Sequence, residues 1–322
     1  DLKGGDPESP GNYRPISILP VLSKLLEKHV HDLLSHYLCL HSPLSQHQWG
    51  FTSGKSTTSA LTSFTHECQE ALDCGNEVCS VFFDLIQSKA FDTVDQELLN
   101  QQNPVIVLGG AQSSPLPVIS GVPQGSVLGP LLFLIYINGV SAAISGSNIT
   151  IYADDIALYK IIRNPRDYTL LQADITSICS WIVENYLILN FLKCCYMIFS
   201  ENIIELPDSP LFVGENHALI KREHFKYLGV NLSADLTWSH HINAVCKKTR
   251  KQIGVLYRNF YQPSDPSTLL RLYKSLVRPH LEYASVIWDP HLAKDIKMLE
   301  DVQKFALRVY SKNWNATYES LL

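Results

Sequence analysis

No stretch of these 322 residues has the length and apolarity of a bilayer span. The longest apolar run, Val127 to Ile137, is broken by Gly129 and Pro130 and stops well short of the roughly 20 residues a transmembrane helix needs. The opening Asp-Leu-Lys-Gly-Gly-Asp lacks the basic and apolar regions of a secretory leader, and a start at Asp1 in place of Met points to a piece of something longer. Without a leader, the three Asn-x-Ser/Thr matches at Asn148, Asn231 and Asn315 read as chance. The eight Cys contain no Cys-x-x-Cys pair, so neither a disulfide framework nor a thiolate metal site is indicated; they read as reduced, intracellular thiols filling core space. The 12 His never take zinc spacing, and His29, His31 and His36 share one helix without a Cys or carboxylate set. Gly50-Phe-Thr-Ser-Gly54-Lys55-Ser56 falls one residue short of a phosphate loop and follows no strand. Gly125-Ser126 has no nucleophile-elbow pattern and no assigned His and Asp to complete a triad.

What is present is globular. Hydrophobic residues make up 46% and charged residues 18%, with ample material for a core and length enough for about two domains. The net charge of −5 hides a division: residues 216–322 carry 16 Lys+Arg against 9 Asp+Glu, a net of +7, whereas residues 1–215 carry −12. A basic C-terminal part beside an acidic body fits a polyanion grip next to a carboxylate-rich site, though a solvated helical face would give the same count.

Hydrophobic periodicity predicts helices over Val21–Tyr37, Thr57–Leu72, Gln87–Leu99, Gly125–Val140 and Pro165–Tyr186, and three more beyond His240. Strands are predicted at Val78–Asp84, on both sides of Asp154-Asp155 within Asn148–Lys160, at Cys195–Phe199 and at Phe225–Leu232. Strands and helices alternate through the middle and an all-helical basic module closes the chain, an α+β arrangement.

The chemistry concentrates in Ile149-Thr-Ile-Tyr-Ala-Asp154-Asp155-Ile-Ala-Leu-Tyr159, where two apolar strands flank adjacent carboxylates at the tip of a tight hairpin. Asp is also a common turn residue, so the pair alone fits an ordinary polar hairpin. Asp84, at the end of a second apolar strand, alters the reading. If the two strand ends are neighbours in one sheet, three carboxylates converge, and like charges within about 4–6 Å ionise together only when cations neutralise them. Hard divalent ions with oxygen ligands do this, and two of them can clamp the attacking and leaving oxygens of an in-line phosphoryl or nucleotidyl transfer.

Five blocks then carry a family likeness: Gly11-Asn-Tyr-Arg-Pro-Ile-Ser-Ile with Leu25-Leu-Glu-Lys28; Gln48-Trp-Gly-Phe51 with Ser56-Thr-Thr; Phe82-Phe-Asp84 with Lys89-Ala-Phe-Asp-Thr-Val-Asp95; Ser120-Gly-Val-Pro-Gln-Gly-Ser-Val-Leu-Gly-Pro130 and its apolar continuation to Asn138; and Tyr152-Ala-Asp-Asp155. Phe225-Lys-Tyr-Leu-Gly229 and Arg278-Pro-His-Leu-Glu-Tyr-Ala284 extend it. In this order they resemble the reverse transcriptase domain of non-LTR, LINE-type retrotransposons, similar to the jockey and chicken-repeat groups. The resemblance implies a right-hand polymerase, N-terminally truncated: partial fingers over 1–75, a palm with an antiparallel sheet and packed helices over 76–239, and a helical thumb with a C-terminal extension over 240–322. By position, Asp84, Asp154 and Asp155 match the family's metal-binding carboxylates, with two Mg²⁺ as cofactor and Mn²⁺ as a substitute. Lys193, in Asn190-Phe-Leu-Lys193, matches the lysine that protonates leaving pyrophosphate. Phe91 matches the residue that inspects the sugar 2′ position, and Gln124 and Gly125 the turn beneath the nascent base pair. Phe225, Lys226, Tyr227, Leu228 and Gly229 resemble the hairpin that holds the primer end. The implied partners are an RNA template, a DNA primer and dNTPs, with no membrane; the implied place is intracellular, and nuclear by the family's mode of insertion. The basic C-terminal part would neutralise duplex phosphates.

The chain departs from the family at definite places. Leu-Ile-Gln-Ser stands between Asp84 and Lys89, two residues more than usual, which is expected to displace Phe91 from the incoming sugar. Residues 100–119 are shorter than a helix and hairpin carried by relatives, Thr52 stands where Arg is common, and Gly139 where Asp is common. These departures raise the alternative of a decayed, non-catalytic remnant that binds nucleic acid. A splicing maturase would share the Tyr-Ala-Asp-Asp turn, but the Arg278-Pro-His-Leu-Glu-Tyr283 block argues for the retrotransposon lineage. The two leading readings differ in the active-site geometry: Asp84 oxygens within metal-bridging range of Asp154 favour the enzyme, whereas splayed strands, or a palm short of its missing helix, favour the remnant.

Overall fold

The structure, a computed structural model, describes residues 19–41, 43–85, 125–200, 210–214, 216–260, 262 and 265–313, with the backbone of two short strands at 107–108 and 111–112. In chain order the helices are α1 (Val21–His41), α2 (Thr57–Asp73), α3 (Gly129–Ile137), α4 (Pro165–Glu184), α5 (Ser239–Phe260), α6 (Pro266–Leu272), α7 (Arg278–Glu282), α8 (Ser285–Trp288) and α9 (Ala293–Ser311). The strands are β1 (Glu77–Asp84), β2 (Val107–Leu108), β3 (Ala111–Gln112), β4 (Asn148–Tyr152), β5 (Asp155–Ile162), β6 (Cys195–Phe199), β7 (Phe212–Val213), β8 (His217–Ala218), β9 (Ile220–Lys221), β10 (His224–Tyr227) and β11 (Val230–Ser233). A five-stranded sheet in the order β4-β5-β1-β6-β9 forms the centre, antiparallel except for the β6–β9 pair.

β1 reads as a near-continuous apolar run over Val78–Phe83, interrupted by Ser80, because both of its faces are covered. Val78 and Phe82 join a core with α2, the β10–β11 hairpin and the C-terminal helices, while Cys79, Val81 and Phe83 join a second core with α3 and α4. Phe64 of α2 ties the first core together, meeting the rings of Phe82, Tyr159, Phe199 and Tyr227 with centroids 5.1–6.0 Å apart. Caps set the helix starts. Ser56 and Ser59 form a reciprocal capping box at α2, and Asn164 with Asp167 does the same at α4, where Pro165 needs no N–H partner.

Several expectations need correction. The helix expected from Gly125 begins at Gly129, where Pro130 fits the first turn, and passes into a 3₁₀ segment over Asn138–Ala143. Phe225–Leu232 is not one strand but two, reversing at Leu228 and Gly229, both with positive φ (43° and 88°). α1 forms where the periodicity placed it, yet none of its residues is buried. All eight Cys are free, but Cys39 and Cys74 are exposed and so fill no core. The helix expected at Gln87–Leu99 lies outside the described residues. Among the described residues, no helix is long and apolar enough to cross a membrane.

Candidate active site

The β1–β5 register sets the site. Asp84 ends β1 directly opposite Asp155, the first residue of β5, so both side chains leave the sheet on the same face. Asp154 precedes it in the turn between β4 and β5, where Tyr152 pairs with Asp155 and Ala153 takes φ 54°. One oxygen from each of Asp84, Asp154 and Asp155 lies within 4.8 Å of the others. Asp154 is buried, with 8% of its surface exposed, while the other two are half-buried.

The electrostatics follow from this crowding. Burial and the charges of Asp154 and Asp84 push the Asp155 carboxyl up to about 7, against the opposing pull of Lys193. Lys193 Nζ lies 3.0 Å from Asp84 Oδ2. The turn around it is built on Asn190, whose backbone N–H donates to the Asp84 carbonyl (2.8 Å) and whose Nδ2 donates to Asp84 Oδ2 (3.0 Å). Lys193 N–H closes the turn onto the Asn190 carbonyl at 3.0 Å. One short loop thus brings a cation and an amide to the same carboxylate oxygen. Three converging carboxylates, with Lys193 set against Asp84, offer the oxygen donors of a hard divalent cation, so the residues fit such an ion.

Beside the carboxylates opens a cavity of about 470 Å³. Its walls include Asp84, Asp155, Lys193 and the strand Phe225–Tyr227 with Leu228, and also Arg222 and His224. Phe225 stacks on Phe82 at 4.5 Å between centroids, which docks the hairpin against the strand that carries Asp84. The hairpin tip is held from the far side: Tyr283 Oη donates to the Leu228 carbonyl at 2.8 Å, and a Cβ at Gly229 would lie 2.9 Å from the Tyr283 ring. Trp288 Nε1 in turn donates to the Tyr283 carbonyl (2.9 Å).

Of the predicted site residues, the structure brings together Asp84, Asp154, Asp155, Lys193 and the hairpin residues Phe225 to Leu228, with Gly229 at the hairpin's turn. Gly125 lies before α3 with φ 100°, a conformation open to glycine. Phe91 and Gln124 lie outside the described residues. Asn190, Arg222, His224 and Tyr283 escaped assignment. Asn190 stood in the same short block as Lys193, three residues before it, but nothing local says that its amide reaches a strand 106 positions away.

Comparison with known proteins gives the family. Residues 3–232 match the family described as reverse transcriptase (RNA-dependent DNA polymerase). The chain is 27% identical over 337 residues to a probable RNA-directed DNA polymerase from transposon BS of Drosophila melanogaster, covering 95% of this chain and 37% of that protein. It is 28% identical over 339 residues to an RNA-directed DNA polymerase from mobile element jockey of Drosophila funebris, covering 96% and 36%. The chain therefore spans little more than a third of the length of the curated relatives it matches. Among solved structures, an apo telomerase from Candida tropicalis aligns with 67% of this chain and 44% of its own at 11% identity and a TM-score of 0.37. With a matching family model over most of its length and relatives drawn from mobile elements, the chain belongs to the reverse transcriptase family, on its LINE-type, non-LTR retrotransposon branch.

Proposed function

We propose that this chain is the nucleotidyl-transfer unit of a retrotransposon polymerase, adding dNTPs to a DNA primer 3′-OH on an RNA template. The observation that carries the reading is the convergence of Asp84, Asp154 and Asp155 within 4.8 Å. A remnant with splayed strands would not keep it. Asp84 and Asp154 are the principal ligands and Asp155 the third, for two Mg²⁺ ions or Mn²⁺ in their place. When bound, the ions supply Lewis acidity to the attacking and leaving oxygens. Lys193 is free to swing from Asp84 toward the leaving pyrophosphate, and its exposed side chain (67%) supports that reach.

The division into fingers (1–75), palm (76–239) and thumb (240–322) is supported by the described strands, which all lie between residues 77 and 233, and by the helices and basic charge of the described residues after them. Phe225 to Gly229 hold the primer terminus over the cavity, with Arg222 and Lys226 as partners for its phosphates. Gly125, with Gln124, supports the nascent base pair, and Phe91 reads the sugar. The place of action, by the family's mode of insertion, is the nucleus.

Primer extension of oligo(dT) on poly(rA) with Mg²⁺, beside Asp154→Ala and Asp155→Ala, tests this. Extension by the parent chain and about 10²–10³-fold less by either variant is the expected result, on the scale of losing a group that stabilises transition-state charge. Duplex binding without extension by the parent would instead establish the remnant, whose motivation is the lengthened segment after Asp84.

A further inference from the structure

The catalytic turn is gripped by a segment with no role assigned so far. Residues 47–49 run along the open edge of β4: Trp49 N–H donates to the Ile151 carbonyl at 2.8 Å and Ile151 N–H to the His47 carbonyl at 2.9 Å. Between these bonds Gln48 turns inward, with 1% of its surface exposed. Its Oε1 accepts from Gly50 N–H at 2.9 Å and from Ala153 N–H at 3.3 Å. Ala153 is the residue whose left-handed φ makes the Tyr152–Asp155 reversal, and it is itself buried (5% exposed), so its amide requires a partner inside the protein. Gly50 completes the fit, because a Cβ there would lie 2.7 Å from the Ala153 nitrogen and 3.2 Å from the Tyr152 carbonyl carbon. Lys55 braces the segment from outside, donating to the Gln46 and Gln48 carbonyls at 2.6 and 2.9 Å with its Nζ 4.8 Å from the centre of the Trp49 ring.

We infer that Gln48 is a positioning residue for the carboxylate turn: its side-chain carbonyl fixes the Ala153 amide, with Gly50 keeping the contact close, and thereby sets where Asp154 stands relative to Asp84. The consequence for catalysis rests on the polymerase reading above; the effect on the turn does not. A left-handed Ala is held by its surroundings and not by its own preference. With the acceptor removed, the turn loses the group that holds it, and an error of about 1 Å in a reacting group costs ~100-fold in rate.

The test uses the full chain and two near-isosteric replacements, Gln48→Met, which keeps length and removes the acceptor, and Gln48→Glu, which restores a carbonyl oxygen. Amide hydrogen exchange on ¹⁵N-alanine-labelled protein reads the Ala153 bond directly, and primer extension reads its consequence. In Gln48→Met, Ala153 exchange is expected to rise at least tenfold while the other alanine amides of the sheet stay protected. The extension rate at saturating dNTP falls about 100-fold, with the KM for dNTP and duplex affinity within about threefold of the parent. Gln48→Glu recovers both toward the parent. If Gln48→Met does not fold, Gly50→Ala addresses the same contact from its other side and is expected to raise Ala153 exchange alike. Unchanged Ala153 exchange, or an extension rate equal to the parent's, overturns the inference. A parent chain that never extends a primer, but whose Ala153 exchange still depends on Gln48, removes the polymerase reading and leaves the positioning role standing.

Discussion

Lys193 is the basic side chain the site sets against three carboxylates, and Asp155 bears the imbalance, its carboxyl raised to about 7 by burial, Asp154 and Asp84. Between the ordinary carboxylate range near 4 and that value, the metal-free folded chain keeps a proton that the unfolded chain has released. Its stability therefore falls as pH rises through this window, so melts in EDTA should give a lower Tm at pH 8 than at pH 5. Asp155→Asn should flatten that dependence. A divalent ion competes with the same proton, and the Mg²⁺ needed for half-maximal extension is expected to drop between pH 6 and pH 8. Asn190 makes a second residue-level case. Its amide orients the Asp84 oxygen that Lys193 also meets, and loss of such an outer partner typically lowers metal affinity or activity 10–100-fold. Asn190→Ala should show that loss in Mn²⁺ titrations followed by electron paramagnetic resonance, with template affinity retained.

At the scale of elements, the β10–β11 hairpin depends on side-chain packing for its place, since it forms its own two-stranded sheet apart from the central one. It is fixed by Phe225 on Phe82 at its base and by Tyr283 at its tip. Tyr283→Phe removes one hydrogen bond, worth about 0.5–1.5 kcal/mol, and should shorten the mean product length per binding event without slowing the first addition. Processivity measured against a heparin trap checks it. The same hairpin shows how far the chain could be read without its structure. β1 and the Asp154-Asp155 turn were legible because a doubly covered strand is near-continuously apolar and a two-residue reversal is bounded by strands. Phe225–Leu232 looked like one strand because Leu228 carries no turn propensity. Its φ of 43° is imposed by Gly229 beside it and Tyr283 above it, and the second of these is 55 residues away. The carboxylate triad was legible for a related reason, two strand ends known from local pattern. Gln48 and Asn190 were not, because their partners are set by tertiary placement alone.

For the whole molecule, the central sheet divides two cores, and the carboxylates lie at its end on the side shared with the β10–β11 hairpin and the C-terminal helices. Phe64 is fully buried and touches four rings drawn from β1, β5, β6 and β10. Phe64→Ala should cost about 3–5 kcal/mol, and urea unfolding followed by far-UV circular dichroism would measure it. Because Phe64 supports both the strand of Asp84 and the strand of Tyr227, the loss of stability should be accompanied by a loss of extension activity in the fraction that remains folded.

Asp84 is also pinned from both directions along its own strand. Phe83 pairs with Ile156 before it, and the buried Leu85 bridges to Leu189 after it. Chain length added beyond Leu85 is therefore not transmitted back to the carboxylate. The anchorage of the carboxylate is thereby uncoupled from the length of the sequence after it, so the two can vary independently.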